Sequence, residues 1–262
     1  MARSIIGGLV GSGISGNQFR VSDPSSEQRI RLEEITDLNA FDNNADCIAG
    51  CDIVVMAVKP QVMEEALSSV DSLLKAQKPL LISIAAGILI KDITRWIGEP
   101  TPIVRVMPNT PALVNCGVSG LFANQLTDEQ HKSTAQAIMQ AVGPVVWVDR
   151  ESDIDTVTGI SGSGPAYFFK LMEIMMDAAQ THGLNPEAAR TLVLQTALGA
   201  ARLANESDVE PGELRRQVTS PKGTTEAAIN TMENEGIDHT VKAGIQAAID
   251  RSEELARILG DG

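Results

Sequence analysis

The sequence predicts an α/β protein with two domains: a doubly wound sheet over residues 1–150, then an all-helical domain over residues 151–262. Two observations support this prediction. Short apolar runs alternate with helical patterns up to residue 149, and beyond residue 150 only the helical patterns continue. The length of 262 residues is also sufficient for two ordinary domains, each with its own core.

The first segment, "MARSIIGGLVGSG", predicts an amphipathic helix with a stripe formed by Ile5, Ile6, Leu9 and Val10. A dinucleotide-binding sheet begins instead with a strand and a glycine-rich loop that precede the first helix. The stretch "GLVGSG" (8–13) follows a helix, so it predicts a C-cap and a turn rather than a phosphate-binding loop. We therefore expect the sheet to lack its first strand and loop, with Met1 at the mouth of that loop.

The apolar runs that predict strands share flanking turn signals: "QFRVS" (18–22), "CDIVVMAV" (51–58), "LLISIAAG" (80–87), "PIVRVMP" (102–108) and "VVWVD" (145–149). The run 51–58 is almost continuously apolar, which predicts a central parallel strand buried on both faces. Strands that alternate with helices in this way indicate βαβ units.

The second half predicts long helices. One covers the segment after Asp155 and is interrupted by Gly162 and Gly164, and another begins with Asn185 as N-cap and Pro186 at its first position. The last helix carries one apolar stripe from Val241 to Leu259. Stripes this wide in a small helical domain favour burial against a second copy of the chain, and the alternative is a monomeric bundle.

Charge and cysteine content exclude several classes of partner. Lys and Arg number 21 against 34 Asp and Glu, a net charge of −13, which repels nucleic acid and anionic membranes. No apolar run reaches the ~18 residues of a membrane span. The three cysteines, Cys47, Cys51 and Cys116, lack a His or Cys at metal-ligand spacing, so we expect no metal site and a reducing cytoplasmic location.

The segment "VTSPKGTTEAAINTMENEG" (218–236) is the most informative for chemistry. Pro221 and Gly223 predict a turn, and Thr224 and Thr225 open a helix with Glu226 in its first turn. Free N–H groups and two hydroxyls at a helix N-terminus suit an anion. The alternative is ordinary N-capping, since Ser and Thr precede many helices.

Five motifs occur together and in order: "AVKPQ" (57–61), "SIAAG" (83–87), "MPNTPALVNCG" (107–117), "SGSGPAYFF" (161–169) and "SPKGTTEAAI" (220–229). With them the chain resembles the bacterial pyrroline-5-carboxylate reductases from residue 1 to about residue 258. The resemblance implies a Rossmann-like sheet and a helical dimerisation domain. It also implies reduction of the cyclic imino acid 1-pyrroline-5-carboxylate to L-proline, the last step of proline biosynthesis, with NADPH or possibly NADH, in at least a homodimer.

The resemblance also assigns site residues. Thr225 matches the threonine that hydrogen-bonds the ring nitrogen and is the expected catalytic residue, and Ser220, with the backbone around Gly223 and Thr224, matches the carboxylate cradle. The expected cofactor residues lie at strand ends: Ser22, Ser25, Asn44, Ala57, Val58, Lys59, Pro60, Ala85, Ala86, Met107, Pro108 and Asn109. Lys59 could instead be a solvated lysine at a helix start.

Two features leave the cofactor and the substrate turn open. Asp23 suits a free ribose 2′-hydroxyl and hence NAD, whereas Ser22, Ser25 and Arg29 suit a 2′-phosphate, and we weakly favour NADPH. The family usually has glycine where this chain has Lys222. That lysine either adds charge for an anionic substrate or strains the turn if the position needs a positive φ.

Two alternatives accompany this interpretation. A catalytically impaired dimeric homologue would follow from the absent glycine loop, since the chain would then bind its cofactor weakly. A β-hydroxyacid dehydrogenase would place a catalytic lysine on the inter-domain helix, but Lys170 has Ile174 rather than Asn four residues later.

Overall fold

The computed structural model describes residues 1–260, which form two compact units. The first comprises Met1–Ser163 and the chain from Ala247 onward, and the second comprises Gly164–Gln246. The boundary at residue 150 stays a prediction.

The first helix, α1 (Ala2–Gly11), has the predicted apolar stripe, since Ile5, Ile6 and Leu9 are buried. A Cβ built on Gly8 would lie 2.3 Å from the carbonyl oxygen of Ala141, so only glycine allows this close approach. The helix ends at a turn in which Gly13 has φ +93°. The stretch "GLVGSG" is therefore a helix end and turn, as predicted.

Seven strands follow: β1 (Arg20–Ser22), β2 (Asn39–Phe41), β3 (Ile53–Met56), β4 (Leu80–Ser83), β5 (Ile103–Met107), β6 (Ser119–Ala123) and β7 (Val145–Trp147). Strands β1 and β2 pair with each other, and the other five form a sheet in the order β3-β4-β5-β6-β7. Every pair is parallel except β5 with β6.

Helices cover both faces of the five-stranded sheet, which confirms the doubly wound prediction. They are α1, α3 (Asn44–Ile48), α4 (Met63–Ser68), α5 (Asp71–Gln77), α6 (Ile90–Ile97) and α7 (Glu129–Gln140), whereas α2 (Ser26–Glu33) packs against β1 and β2 through Leu32. On one face Leu81 and Ile103 pack with α3 to α6. On the other, Leu80 and Val104 pack with α1 and α7. Alternate residues of each strand thus supply two separate cores.

One strand prediction is wrong in part, and two strands were not predicted. β3 is not buried on both faces, because it is the first strand of its sheet and Ile53 and Val55 are only half-buried. β2 was not expected, since three residues carry no periodic signal. β6 was also missed: "SGLFA" begins with small residues and pairs antiparallel, which the βαβ interpretation does not provide.

The elements from residue 153 to residue 260 are helical, as predicted: α8 (Asp153–Val157), a π-turn (Thr158–Gly162), α9 (Gly164–Thr181), α10 (Pro186–Glu206), α11 (Pro211–Gln217), α12 (Thr224–Asn234) and α13 (Ile237–Gly260). The Asn185 side chain accepts a hydrogen bond from the Ala188 N–H at 2.8 Å, which confirms the predicted N-cap of α10. None of the helices within residues 1–260 is both long enough and apolar enough to cross a bilayer.

Candidate active site

Three of the predicted cofactor segments meet at one edge of the sheet. β3, β4 and β5 are parallel neighbours, so the segments that follow them share the carboxyl edge, where open α/β sheets bind ligands. These segments contain Ala57–Pro60, Ala85–Ala86 and Pro108–Asn109. The Ile84 N–H donates to the Met56 carbonyl at 3.2 Å, which joins the ends of the first two strands.

The residues of this edge differ in their exposure. Ala57 and Lys59 are exposed, and Lys59 directly precedes a 3₁₀ turn that begins at Pro60. Ala86 is half-buried, but Ala85 packs inside the core. Ala57 and Lys59 are therefore the most accessible of these residues, and Val58, Pro60, Ala86 and Met107 are partly accessible. The role of Ala85 as a cofactor contact stays a prediction.

Asn109 joins three backbone segments. It is 9% exposed; its Nδ2 donates to the Ser161 carbonyl at 3.2 Å, and its Oδ1 accepts from the Val118 N–H at 3.0 Å. Both functional atoms of the amide are thus used within the protein. Asn109 therefore links the end of β5 to the π-turn. Its predicted place beside the nicotinamide stays a prediction.

The π-turn lies directly against the same strand end. The Ser163 N–H donates to the Thr158 carbonyl at 2.8 Å, the i→i+5 bond that defines the turn. A Cβ built on Gly162 would lie 2.4 Å from Cε of Met107, the flexible end of that side chain, so the turn packs closely against Met107. Gly162, predicted only as a helix interruption, is a packing position.

A buried ion pair fixes the start of α6, just after Ala86. Nη1 of Arg105, in β5, donates to Oε1 of Glu151 at 2.8 Å, and the same oxygen accepts from the Ile90 N–H at 2.7 Å. The Arg105 side chain is 3% exposed and that of Glu151 is 27% exposed. Neither residue was predicted, because nothing in the sequence pairs positions 46 residues apart.

A second group of predicted cofactor residues lies at the ends of β1 and β2. The Ser22 hydroxyl donates to Oδ1 of Asn44 at 2.7 Å, so two of these residues are in contact. Burial raises the pKa of the neighbouring Cys47 thiol above its ordinary value of 9.0, despite a hydrogen bond with Ser22 that acts in the opposite direction.

The turn after β1 carries the groups that would select the cofactor. Oδ1 of Asp23 accepts from the Ser25 N–H at 2.8 Å, and Nη1 of Arg29 donates to the Asp23 carbonyl at 2.6 Å. One oxygen of the Asp23 carboxylate is thus used within the turn. The Arg29 guanidinium is held beside the same turn and retains further N–H donors.

In the second unit, the predicted substrate residues share one turn. The Gly223 N–H donates to the Ser220 carbonyl at 3.0 Å, and α12 begins at Thr224. The N–H groups of Thr224 and Thr225 lie in the first turn of α12, where the backbone N–H groups have no acceptor within the helix. The Gly223 N–H is therefore used, and the free donors begin at Thr224.

Lys222 adopts the left-handed conformation in this turn, with φ +62°. A side chain in that region costs roughly 1 kcal/mol or more. Of the two expectations for Lys222, backbone strain in the turn is therefore confirmed. Its N–H donates to Oε2 of Glu226 at 2.7 Å, a contact the sequence analysis missed. The spacing of this acid from the turn is that of a capping residue, which could have indicated it.

Within residues 1–260, no three His, Cys, Asp or Glu side chains come together as a possible metal site.

Comparison with known proteins adds the following findings. Residues 151–255 match the family model "Pyrroline-5-carboxylate reductase dimerisation", and residues 1–87 match "NADP oxidoreductase coenzyme F420-dependent". The pyrroline-5-carboxylate reductase of Pseudomonas aeruginosa is 48% identical over 260 residues, which cover 99% of this chain and 95% of the relative.

Two solved structures are also similar. A pyrroline-5-carboxylate reductase from Coxiella burnetii has a TM-score of 0.93 at 39% identity and covers 97% of this chain and 94% of its own. The pyrroline carboxylate reductase of Plasmodium falciparum, solved with NADP bound, has a TM-score of 0.85 at 30% identity and covers 97% of this chain and 93% of its own.

Two expectations about the N-terminus are not supported. The prediction of a missing strand and loop depended on the order of the elements, because a dinucleotide-binding sheet begins with a strand and a glycine-rich loop before its first helix. The comparisons do not support it, since the similarity to the Pseudomonas aeruginosa relative covers 99% of this chain and 95% of that relative. The comparisons likewise give no support to a catalytically impaired homologue.

Proposed function

The chain belongs to the pyrroline-5-carboxylate reductase family, and from this we propose that the turn Ser220–Thr225 holds the substrate while the carboxyl edge of the sheet holds the nucleotide. The protein is an NAD(P)-dependent oxidoreductase that reduces the C=N bond of 1-pyrroline-5-carboxylate to give L-proline. This reaction is the last step of proline biosynthesis. The observation that supports it is the similarity over nearly the full chain, together with the intact substrate turn.

The substrate is a five-membered ring with one carboxylate and one imine nitrogen. The start of α12 offers the carboxylate free N–H groups at the positive end of the helix dipole, together with the Ser220 hydroxyl. The half-buried Thr225 supplies a hydroxyl one residue further along, which can donate to the ring nitrogen. In this assignment the chain orients the ring and stabilises the nitrogen, so no covalent step is required of it.

The carboxyl edge has features that suit a nicotinamide dinucleotide. Ala57 and Ala86 are small residues at adjacent strand ends, and Ser25 and Arg29 provide a hydroxyl and a guanidinium at the turn after β1, beside Ser22, whose own hydroxyl donates to Asn44. Guanidinium and hydroxyl donors suit a ribose 2′-phosphate, so the proposal favours NADPH over NADH. When bound, the nucleotide supplies the hydride.

The assembly proposed is a homodimer formed through the helical unit. α9 and α10 expose large apolar side chains that a monomer would leave in water: Phe168, Phe169, Ile174, Leu192, Leu198 and Leu203. Larger assemblies of dimers belong to the same proposal. A cytoplasmic location does too, because three free thiols are typical of a reducing compartment.

The function is tested by mixing the purified chain with 1-pyrroline-5-carboxylate and NADPH. Oxidation of NADPH with matching formation of L-proline is expected, and NADH in place of NADPH should give a lower kcat/KM. Absence of L-proline with both nucleotides would contradict the proposal.

A further inference from the structure

The charge balance of the substrate turn suggests a role for Lys222. Within residues 218–226 the charged residues are Lys222 and Glu226 alone. The Glu226 carboxylate accepts the Lys222 N–H at 2.7 Å and thereby closes the turn. This places a negative charge beside the N–H groups that the proposed function assigns to the substrate carboxylate.

The neighbouring charges do not offset Glu226. Arg215 forms an ion pair with Glu233 at 2.6 Å, and Arg216 pairs with Glu213. The Lys222 ammonium takes part in no ion pair within the part of the chain that the structure describes. It is exposed, and it is the cation closest in sequence to the free donors of α12.

The backbone conformation of Lys222 is also unusual for a lysine. Lys222 is left-handed, a conformation that glycine adopts without cost. A lysine there therefore carries a local penalty that glycine would not. Its exposed side chain places the ammonium where it can act on a charged ligand at the turn.

We propose that Lys222 is a specificity-determining residue whose positive charge offsets the negative charge of Glu226 and so sets the affinity of the turn for the substrate carboxylate. Glu226 holds the turn closed, and Lys222 cancels the charge that this closure introduces. In a chain with net charge −13, a local cation also raises the concentration of a small anion at the turn. The inference depends on the proposed function.

The test is a set of single and double variants assayed with 1-pyrroline-5-carboxylate and NADPH. K222Q removes the charge but keeps a long side chain in the left-handed position, so we expect KM for the imino acid to rise about fivefold while kcat changes less than twofold. E226Q keeps an oxygen that can accept the Lys222 N–H, and its KM should fall about threefold. The double variant should return within about twofold of the unmodified protein.

Two controls separate charge from structure. K222R should restore KM, and added salt should reduce the effect of K222Q because exposed charges are screened. K78Q removes a lysine that is also left-handed, at φ +49° in the first unit, and should leave KM unchanged.

If K222Q and K78Q have the same KM in an active protein, the inference is wrong and the proposed function stands. If E226Q raises KM, charge compensation is wrong because Glu226 then acts only to close the turn. If the unmodified protein makes no L-proline, the proposed function fails and this inference fails with it.

Discussion

Replacement of Glu151 by alanine should destabilise the first unit strongly. The substitution removes the carboxylate that pairs with Arg105 at 2.8 Å and accepts the Ile90 N–H at 2.7 Å. Arg105 would then retain a charge on a side chain that is 3% exposed. An unpaired buried charge is among the few causes of large single-residue effects.

The size of the effect follows from the geometry. Breaking a buried pair by removal of one partner costs about 3–5 kcal/mol. Glu151 is partly exposed, so we expect the low end, about 3 kcal/mol in the free energy of unfolding. At about 2–4 °C per kcal/mol for a chain of this size, Tm should fall by about 6–12 °C.

Circular dichroism during thermal unfolding measures this change. The matched control is E129A, since Glu129 pairs with Lys132 but is 89% exposed, and its loss should cost under about 0.5 kcal/mol. The double variant R105M/E151L removes both charges and should recover the part of the loss that comes from the unpaired Arg105, but not the part from the Ile90 N–H. Equal Tm values for E151A and E129A would refute the reasoning. Because Ile90 begins α6 just after Ala86, E151A should also raise KM for NADPH.

Three further predictions concern other parts of the chain. N109L removes both hydrogen bonds of a buried amide and keeps the number of side-chain heavy atoms. It should lower stability by about 2–4 kcal/mol in urea unfolding and raise KM for NADPH, and wild-type values for both would contradict this. Cys116 is exposed and should react with a thiol reagent before Cys47, whose raised pKa keeps its thiol protonated. The contribution of Cys47 to the free energy of unfolding should be present below its ordinary pKa of 9.0 and lost as pH rises through the raised value, which would lower the urea midpoint. F168E places a charge on α9 at a position that is 65% exposed in the single chain. Burying that charge in the proposed dimer interface is costly, so light scattering should give the mass of a monomer. An unchanged dimer mass would show that Phe168 lies outside the interface.

The fold was largely predictable because its signals are local. Short apolar runs indicated β1, β3, β4, β5 and β7, and capping residues such as Asn185 indicated where helices begin. The missed elements depend on tertiary contacts instead. β6 is a strand because it pairs with β5, and nothing in five residues of mixed polarity specifies that partner.

The site was predictable only in its residue types. The sequence placed Ser220, Gly223, Thr224 and Thr225 in one turn, and the structure agrees. The sequence could not show that the Gly223 N–H is hydrogen-bonded or that the Asn109 amide bonds to backbone groups. Both facts depend on which atoms come within about 3 Å of each other in the folded chain. The assigned roles of the individual site residues stay predictions.

The substitution T225V tests the central claim most directly. Valine keeps the size and β-branching of threonine but lacks the hydroxyl that, in the proposed function, donates to the ring nitrogen. With NADPH and 1-pyrroline-5-carboxylate, kcat should fall by about 10²-fold or more, while Tm and KM for NADPH change little. A T225V protein that forms L-proline at the unmodified rate would contradict the account.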